Sequence, residues 1–204
     1  MTRPTGLIEW GVAELALAGQ VENGDRYVVE PFADGILVAV VDGLGHGHEA
    51  ATAAMLATAT IKQAPFEPLT VLFARAHESL RRTRGVVMSA ASFRASERTM
   101  TWLGVGSVEG LLQHASARRT PASETLMLRS GVVGSHLPRL SASVLPVYAG
   151  DTLVLASDGI RRGFAEALTP AAPPQRAAER ILARCANRTD DALVLVARYL
   201  GGES

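Results

Sequence analysis

Strand-like and helix-like segments are grouped in this sequence, and the grouping limits the folds that it can adopt. Three apolar runs rich in Val, Ile and Leu come before the first helical pattern, at residues 8–18, 26–31 and 35–41. Two helical patterns then follow each other, at 49–63 and 67–82. Parallel doubly wound folds instead require strands and helices to alternate. The order therefore predicts an α+β fold, an antiparallel β-sandwich with helices on its outer faces.

The second half of the chain continues this pattern. Strands are expected at 86–95, 100–108 and 110–115, and we predict that they form a meander because short turns separate them. The remaining expected elements are strands at 125–129, 152–156 and 192–199 and a helix at 174–186. No linker, repeat or low-complexity tract interrupts the sequence. We therefore expect a single domain over residues 1–204, with its core at about 8–199.

Composition excludes several classes of protein. The chain is 48% hydrophobic and 20% charged, as globular proteins are, and its formal net charge is zero, so no basic surface suited to nucleic acid is expected. The sequence contains neither a signal peptide nor an apolar run near the roughly 18 residues of a membrane span. The single cysteine, Cys185, rules out an internal disulfide. We expect a cytoplasmic protein that binds neither nucleic acid nor membranes, and the oligomeric state is not predicted.

Aspartates stand at the ends of the most apolar runs. Asp42 and Asp158 each follow a strand-like run closely, and the pair Asp190-Asp191 directly precedes one. Sheet packing can bring such strand ends to one point. Ionised carboxylates a few ångströms apart repel one another, so they usually share Mg²⁺ or Mn²⁺, which are hard ions that prefer oxygen ligands. The pattern predicts a metal-dependent hydrolase of phosphate esters.

An aspartate at a strand end can also be a turn residue, because its side chain caps backbone N–H groups. Asp42 and Asp158 both open an Asp-Gly dipeptide after an apolar run, and we interpret them as functional. Asp34 and Asp151 precede their runs instead. We interpret these two as turn residues that lead into strands.

The glycine-rich segment after Asp42 allows two further interpretations. It lies between a strand and a helix, as a phosphate-binding loop does, but it lacks the Gly-Lys-Ser/Thr of a P-loop and the Gly-x-Gly-x-x-Gly spacing. A zinc site at His46 and His48 would need partners from elsewhere in the chain, since there is no His-x-x-x-His or Cys cluster. Gly43 would let a backbone carbonyl approach a metal beside the Asp42 carboxylate. We expect His46 to face the substrate.

Four segments, in this order, resemble the PPM metal-dependent serine/threonine phosphatases, and most closely the SpoIIE/RsbU branch with its RsbX-type stressosome phosphatases. The segments are DGLGHG at 42–47, GVGSVEG at 104–110, LASDGI at 155–160 and TDDA at 189–192. The resemblance implies a PPM-type antiparallel β-sandwich flanked by helix pairs (αββα). It also implies two Mn²⁺ or Mg²⁺ ions, which activate a water for attack on phosphoserine or phosphothreonine.

The resemblance assigns roles to individual residues. Asp42 resembles the carboxylate that bridges both ions, while Asp158 and Asp190 each resemble a ligand of one ion. These three would act catalytically through the metal-bound water. Asp25 resembles an early acidic residue that reaches a metal directly or through water, and Asp191 occupies a neighbouring, supporting place. The metal-binding set implied in this way is Asp25, Asp42, Gly43, Asp158, Asp190 and Asp191.

Candidates for substrate binding are less sharply defined. The phosphate-binding arginine of eukaryotic members has no clear match, and Arg26 is the candidate for that role. His46, Arg161, Arg162 and the loop at 115–123 are candidates for contacting a folded phosphoprotein, because arginines are favoured at recognition surfaces. The resemblance implies phosphorylated STAS-domain proteins of the RsbS/RsbR type, in a stressosome or an anti-sigma partner-switching module, as substrates. The alternatives are a non-catalytic phosphoprotein-binding module on the same fold and a nucleotide- or phosphate-binding protein.

Overall fold

Two antiparallel β-sheets pack face to face in the computed structural model of this chain. The residues that it describes are 3–4, 6–17, 19, 22–116, 118–168 and 172–201. The strands are β1 (Arg3–Pro4), β2 (Ile8–Leu15), β3 (Asp25–Phe32), β4 (Gly35–Gly43), β5 (Val86–Arg94), β6 (Thr99–Val105), β7 (Glu109–Gln113), β8 (Ser123–Thr125), β9 (Ser143–Pro146), β10 (Thr152–Ala156) and β11 (Ala192–Tyr199). The helices are α1 (His48–Lys62), α2 (Leu69–Leu80) and α3 (Pro174–Cys185), with a short 3-10 helix at Phe164–Ala167. The first sheet has the order β1-β2-β11-β10-β7-β8, and the second has the order β3-β4-β5-β6-β9.

Apolar residues fill three layers, one between the sheets and one under the helices on each outer face. In β4, Val38 and Val40 face the other sheet, whereas Leu37 and Val41 pack under α1 and α2. On the opposite face, Ile181 of α3 packs against the outer side of β10 and β11. Because both faces of β4 and β11 are covered, these strands are apolar along almost their whole length instead of alternating with polar residues.

The predicted fold class is confirmed, because the chain forms an α+β sandwich with helices on both outer faces. The two faces are covered differently. Helices α1 and α2 lie together on the second sheet. On the first sheet, α3 is accompanied in the described ranges by the 3-10 helix, whose Phe164 joins the same apolar layer. None of the helices in the described ranges is long and apolar enough to cross a membrane.

The predicted meander is wrong in its third strand. β5 and β6 pair as expected, but β7 crosses to the first sheet, where it pairs with β10 and β8. The chain crosses at Gly106, which has a φ of 96° and whose missing side chain would lie 2.1 Å from Cγ1 of Val87. Only glycine suits this conformation and this close approach. An apolar run in the sequence predicts a strand but not the sheet that the strand joins.

Two short strands also differ from the expectation. The strand predicted at 125–129 is wrong beyond its first residue, because β8 ends at Thr125 and the Leu126 N–H then donates to the Gly110 carbonyl at 2.8 Å. β9 was not predicted, because it is short, largely exposed and ends at Pro146. It lies at the edge of the second sheet, where a proline is tolerated because its missing N–H does not interrupt the pairing of a central strand.

Antiparallel pairing places four strand ends on the same side of the sandwich. Asp25 at the start of β3 lies opposite Asp42 near the end of β4. In the other sheet, the end of β10 lies opposite the start of β11, with Ala156 paired to Val194. The other ends of β4 and β10 follow Asp34 and Asp151 directly. The fold therefore separates the aspartates into two groups at opposite ends.

Candidate active site

The structure brings together the aspartates that stood out in the sequence. Asp25 opens β3, Asp42 lies near the end of β4, Asp158 follows β10, and Asp190 precedes β11. The charges of Asp158 and Asp190 act on both Asp25 and Asp42, so the four carboxyl groups lie within range of mutual repulsion. Four elements from two sheets thus build one acidic cluster, which we call the acidic end.

Burial and repulsion favour protonated forms at the acidic end. Burial raises the pKa of Asp25, which is 1% exposed, to about 7; a hydrogen bond from Ser157 opposes this, and neighbouring aspartates add to it. The pKa of Asp42 is raised to about 9, first by burial and then by the charges of Asp25 and Asp158. Burial also raises the pKa of Asp190. The nearby Asp158 carboxyl group adds to the raised pKa of Asp42.

No arginine, lysine or histidine of the described ranges forms an ion pair with these four carboxyl groups. His46 is exposed and lines a pocket of about 190 Å³ together with Asp42, Asp158 and Asp190. Of the four residues, Asp25 is buried, Asp42 and Asp190 are half-buried, and Asp158 is exposed. Crowded carboxylates that are partly removed from water are costly to ionise, and a divalent cation with oxygen ligands relieves that cost. The chemistry of the donor set therefore fits Mg²⁺ or Mn²⁺.

The side chains do not stand in a finished coordination shell. No group of three or more His, Cys, Asp or Glu side chains in the described ranges is arranged to hold one metal ion. The raised pKa of Asp42 gives a physical reason, since it favours the protonated form of a carboxyl group over the form that binds a cation. Ligands must be deprotonated to bind a metal, so cation binding at this cluster requires Asp42 to release its proton.

The glycine after each of the two site aspartates is required by packing. A Cβ atom on Gly43 would lie 2.1 Å from the Ala50 carbonyl oxygen of α1. On Gly159 it would lie 1.9 Å from the Asp191 carbonyl oxygen. Neighbouring backbone therefore packs directly against each Asp-Gly corner, which fixes the position of the aspartate before it. The sequence predicts that the Gly43 carbonyl approaches a metal, and the structure adds this packing requirement.

Asp191 lies beside the cluster, but both its carboxylate oxygens accept hydrogen bonds from the backbone. Oδ1 accepts from the Leu17 N–H at 2.7 Å, and Oδ2 accepts from the Gly24 N–H at 2.6 Å. The side chain is buried, at 4% exposure. Asp191 thereby ties the start of β11 to the segment that leads into β3 and Asp25.

Arg26, the candidate for phosphate docking, is bound to the same segment. Its Nη1 donates to the carbonyl oxygens of Asn23 at 2.6 Å and Asp25 at 2.7 Å. The guanidinium group braces the turn that carries Asp25, and its contacts in the structure are with the backbone.

The two other predicted arginines line a cleft of about 500 Å³ beside Asp158. The Arg162 side chain is 93% exposed, and its Nε lies 3.1 Å from the Glu109 carboxylate. Arg161 donates to the Arg184 carbonyl at 2.7 Å. The structure thus places both arginines next to the acidic end, with Arg162 free to move toward solvent.

The sequence did not predict that two serines contact the aspartates of the site. The Ser107 hydroxyl, at the crossover between the sheets, donates to Oδ2 of Asp158 at 3.0 Å, and Ser107 lines both the cleft and the smaller pocket. The Ser157 hydroxyl donates to Oδ2 of Asp25 at 2.7 Å. Both serines lie within the motifs that carried the family resemblance, but their partners depend on the sheet topology, which the motifs do not reveal.

The loop at 115–123 lies at the opposite end of the sandwich. The Ala115 N–H donates to Oδ1 of Asp151 at 2.9 Å, and Asp151 precedes β10 whereas Asp158 follows it. At about 3.3 Å per strand residue, Asp151 and Asp158, on either side of β10, lie roughly 20 Å apart. The prediction that this loop reads a substrate around the metal site is therefore wrong.

Comparisons with known proteins agree with this geometry. The family model described as Stage II sporulation protein E (SpoIIE) matches residues 33–200. No curated protein sequence matches this chain significantly.

Solved structures match along nearly the whole chain. One, from work on the bacterial stressosome as a modular system adapted to control secondary messenger signalling, is 28% identical, has a TM-score of 0.86 and covers 94% of this chain and 99% of that chain. RsbX in complex with magnesium has a TM-score of 0.86 at 18% identity, covering 98% of each chain. The PP2C phosphatase domain of SpoIIE from Bacillus subtilis, solved with a fragment of its regulatory domain, has a TM-score of 0.77 at 18% identity, covering 100% of this chain and 64% of that chain. Because the SpoIIE model spans most of the sequence and the fold is that of the PP2C-type enzymes, this chain belongs to the SpoIIE family of PPM-type phosphatases.

Proposed function

We propose that this chain removes phosphate from phosphoserine or phosphothreonine on STAS-domain proteins of the RsbS/RsbR type, in a stressosome or an anti-sigma partner-switching module. The observation that carries the proposal is the acidic end, where four aspartates meet and, in the described ranges, none of them forms an ion pair with an arginine or lysine. The likeness to a structure from the bacterial stressosome supports the substrate class. The proposal places the enzyme in the cytoplasm, which suits a chain with one free thiol, that of Cys185.

In the proposed site, two Mn²⁺ or Mg²⁺ ions are held by Asp42, Asp158, Asp190 and the Gly43 carbonyl, with Asp25 reaching an ion directly or through water. When bound, the ions supply activation of the attacking water and neutralise charge on the phosphoryl oxygens. The complex of RsbX with magnesium supports this choice of ion. No nucleophilic side chain is then required.

The protein's own groups prepare the site. Asp42 and Asp25, whose pKa values are raised to about 9 and about 7, lose their protons as cations bind, because the carboxylate is the binding form. Asp191 acts as an anchor, since its two oxygens hold the backbone N–H groups of Leu17 and Gly24 and so position the segment before Asp25.

Substrate contacts are assigned to the cleft beside Asp158. Arg162 is almost fully exposed and pairs with Glu109 at the surface, so it can exchange that partner for an anionic group of a phosphoprotein at small cost. Arg161 and His46 line the two adjoining spaces and complete the contact surface. Arg26 is proposed to act only indirectly, by bracing the turn of Asp25.

The test uses the purified chain and a phosphorylated STAS protein encoded near its gene, with Mn²⁺ or with EDTA. We expect phosphate release with Mn²⁺, none with EDTA, and none from Asp158→Asn. Asp34→Asn, at the other end of the sandwich, is the matched control and should remain active. Full release in EDTA would overturn the metal assignment. Tight binding of the phosphoprotein without hydrolysis would instead favour the non-catalytic binding module.

A further inference from the structure

Ser157 has a fixed position between the two sheets at the acidic end. It is 1% exposed and follows the last residue of β10. Its N–H donates to the Leu193 carbonyl at 3.0 Å, so its backbone continues the pairing of β10 with β11. The Leu193 N–H in turn donates to the Ser157 hydroxyl oxygen at 2.9 Å. Backbone and side chain are therefore both held by β11.

The direction of the hydroxyl proton follows from these contacts. A hydroxyl has one proton to donate, and the Leu193 N–H already occupies an acceptor site on the oxygen. The two possible acceptors are the Asp25 carboxylate oxygen Oδ2 at 2.7 Å and the Leu193 carbonyl at 3.5 Å. A donor–acceptor distance near 2.7 Å is typical of a strong O–H···O bond, whereas 3.5 Å is at the limit. The proton therefore points to Asp25.

This hydrogen bond crosses from one sheet to the other. Ser157 belongs to the first sheet, and Asp25 opens β3, the edge strand of the second. The backbone of Asp25 is fixed separately, because its N–H donates to the Asn23 side-chain oxygen at 2.7 Å. The hydroxyl of Ser157 is thus what orients the carboxyl group, and it engages only one of the two oxygens.

We infer that Ser157 is a positioning residue of the metal site, which orients Asp25 so that its other carboxylate oxygen is presented to a divalent cation or to water on that cation. The inference rests on the proposed metal-dependent function. It differs from the general stabilising role of a buried serine, because its effect on cation binding passes through Asp25.

Ser89 offers a control with the same chemistry. It is 0% exposed, and its hydroxyl donates to the Val108 carbonyl at 2.6 Å, without contact to a carboxylate. Ser89→Ala and Ser157→Ala each remove one buried hydroxyl. Any loss of cation binding that comes only from lower stability should be common to both variants.

The experiment measures Mn²⁺ binding directly, from the loss of the electron paramagnetic resonance signal of free Mn²⁺, alongside thermal unfolding in EDTA to confirm folding. We expect Ser157→Ala to weaken Mn²⁺ binding about tenfold, the usual size for one hydrogen bond to a charged group. Ser89→Ala should bind as the wild type does, and Ser157→Thr, which keeps the hydroxyl, should recover most of the affinity. In an Asp25→Asn background, Ser157→Ala should have almost no further effect, because the two residues act as one unit.

Three results would overturn the inference. They are wild-type affinity in Ser157→Ala, equal losses in Ser157→Ala and Ser89→Ala, and an undiminished effect of Ser157→Ala in the Asp25→Asn background. Failure of the proposed function looks different, since the wild-type protein itself would then bind no Mn²⁺.

Discussion

Asp25 and Asp151 are equally buried, at 1% exposure each, but the protein surrounds them differently. Asp151 accepts a hydrogen bond from the Ala115 N–H at 2.9 Å, and Arg119 and His114 lie 3.5 and 3.4 Å from its Oδ2. Asp25 has a single hydroxyl donor and faces other aspartates. A buried carboxylate with a purely structural role is balanced by groups of the chain itself. The carboxylates of the acidic end lack that balance, which the proposed cation would supply.

The two ends of β4 show the same difference. Asp34 accepts hydrogen bonds from the Ser96 hydroxyl at 2.6 Å and the Ser96 N–H at 3.1 Å, and these lower its pKa. Asp42, near the other end of the strand, has a pKa raised to about 9 by burial and by neighbouring charges. On this strand, the pKa shifts of the turn residue Asp34 and of Asp42 at the acidic end therefore have opposite directions.

The largest expected difference between the two ends of the sandwich is in the activity of substituted enzymes. Asp42→Asn and Asp158→Asn should each abolish Mn²⁺-dependent hydrolysis of p-nitrophenyl phosphate, because each removes a charged oxygen ligand. Their stability in EDTA should be unchanged or higher, since an amide takes no part in the repulsion between carboxyl groups that raises the pKa of Asp42. Asp151→Asn should keep its Mn²⁺ dependence, and a loss as large as that of Asp158→Asn would show that the ends were assigned wrongly.

The stability of variants at these positions should rank in the reverse order of the losses in activity. Asp151→Ala leaves two backbone N–H groups and the buried His114 without their acceptor, which should cost roughly 3 kcal/mol and lower Tm by about 6–12 °C. Thermal unfolding in EDTA measures this, with Asp42→Asn as the comparison. A Tm drop for Asp42→Asn equal to that for Asp151→Ala would remove the distinction between a balanced and an unbalanced carboxylate.

Four aspartates at strand ends show how much of the site could be predicted from the sequence. Position relative to an apolar run was enough to separate Asp42 and Asp158 from Asp34 and Asp151. The prediction that Asp151 is a turn residue is correct for its backbone, whose N–H donates to the Tyr148 carbonyl at 2.9 Å. Its burial could not be foreseen, because the loop that covers it comes from a different part of the chain.

Topology explains the other differences from the sequence prediction. The crossing of β7 to the first sheet brings Ser107 to Asp158, and the packing of the two sheets brings Ser157 to Asp25. Neither contact follows from a local pattern, since a strand's hydrophobic pattern does not specify its partner.

The raised pKa values at the acidic end should make the stability of the metal-free protein depend on pH. The pKa values of Asp25 and Asp42 in the folded protein, about 7 and about 9, lie above the ordinary aspartate value of 3.8, so the folded state binds more protons than the unfolded state between these values. Stability in EDTA should therefore be highest near pH 4–5 and fall as pH rises through 7 and 9. Thermal unfolding at several pH values measures this, and Asp42→Asn should flatten the upper part of the curve. A rise in stability over the same range would contradict the assigned shifts.

Added Mn²⁺ should reverse that trend, because the carboxylate form binds the cation and its fraction increases with pH. The stabilisation by Mn²⁺, measured as the difference in Tm from the EDTA sample, should grow from pH 5 to pH 8. A difference that is constant across this range would argue against binding at these aspartates.

The smallest expected effect concerns substrate contacts. Arg161→Ala/Arg162→Ala should lower the turnover of an intact phospho-STAS protein severalfold and leave p-nitrophenyl phosphate hydrolysis unchanged, because the arginines lie beside the metal site and not in it. Arg118→Ala, in the loop at the opposite end, is the matched control and should have no effect. Equal losses in both variants would mean that recognition is not confined to the acidic end.

The most direct test of the proposed metal site is the location of bound Mn²⁺ in crystals of the protein, determined from anomalous scattering. We expect two anomalous peaks at the acidic end, among Asp42, Asp158 and Asp190, and none beside Asp151, whose charge the chain already balances. Anomalous peaks at the Asp151 end, or a featureless acidic end in crystals of an enzyme that Mn²⁺ activates, would contradict it.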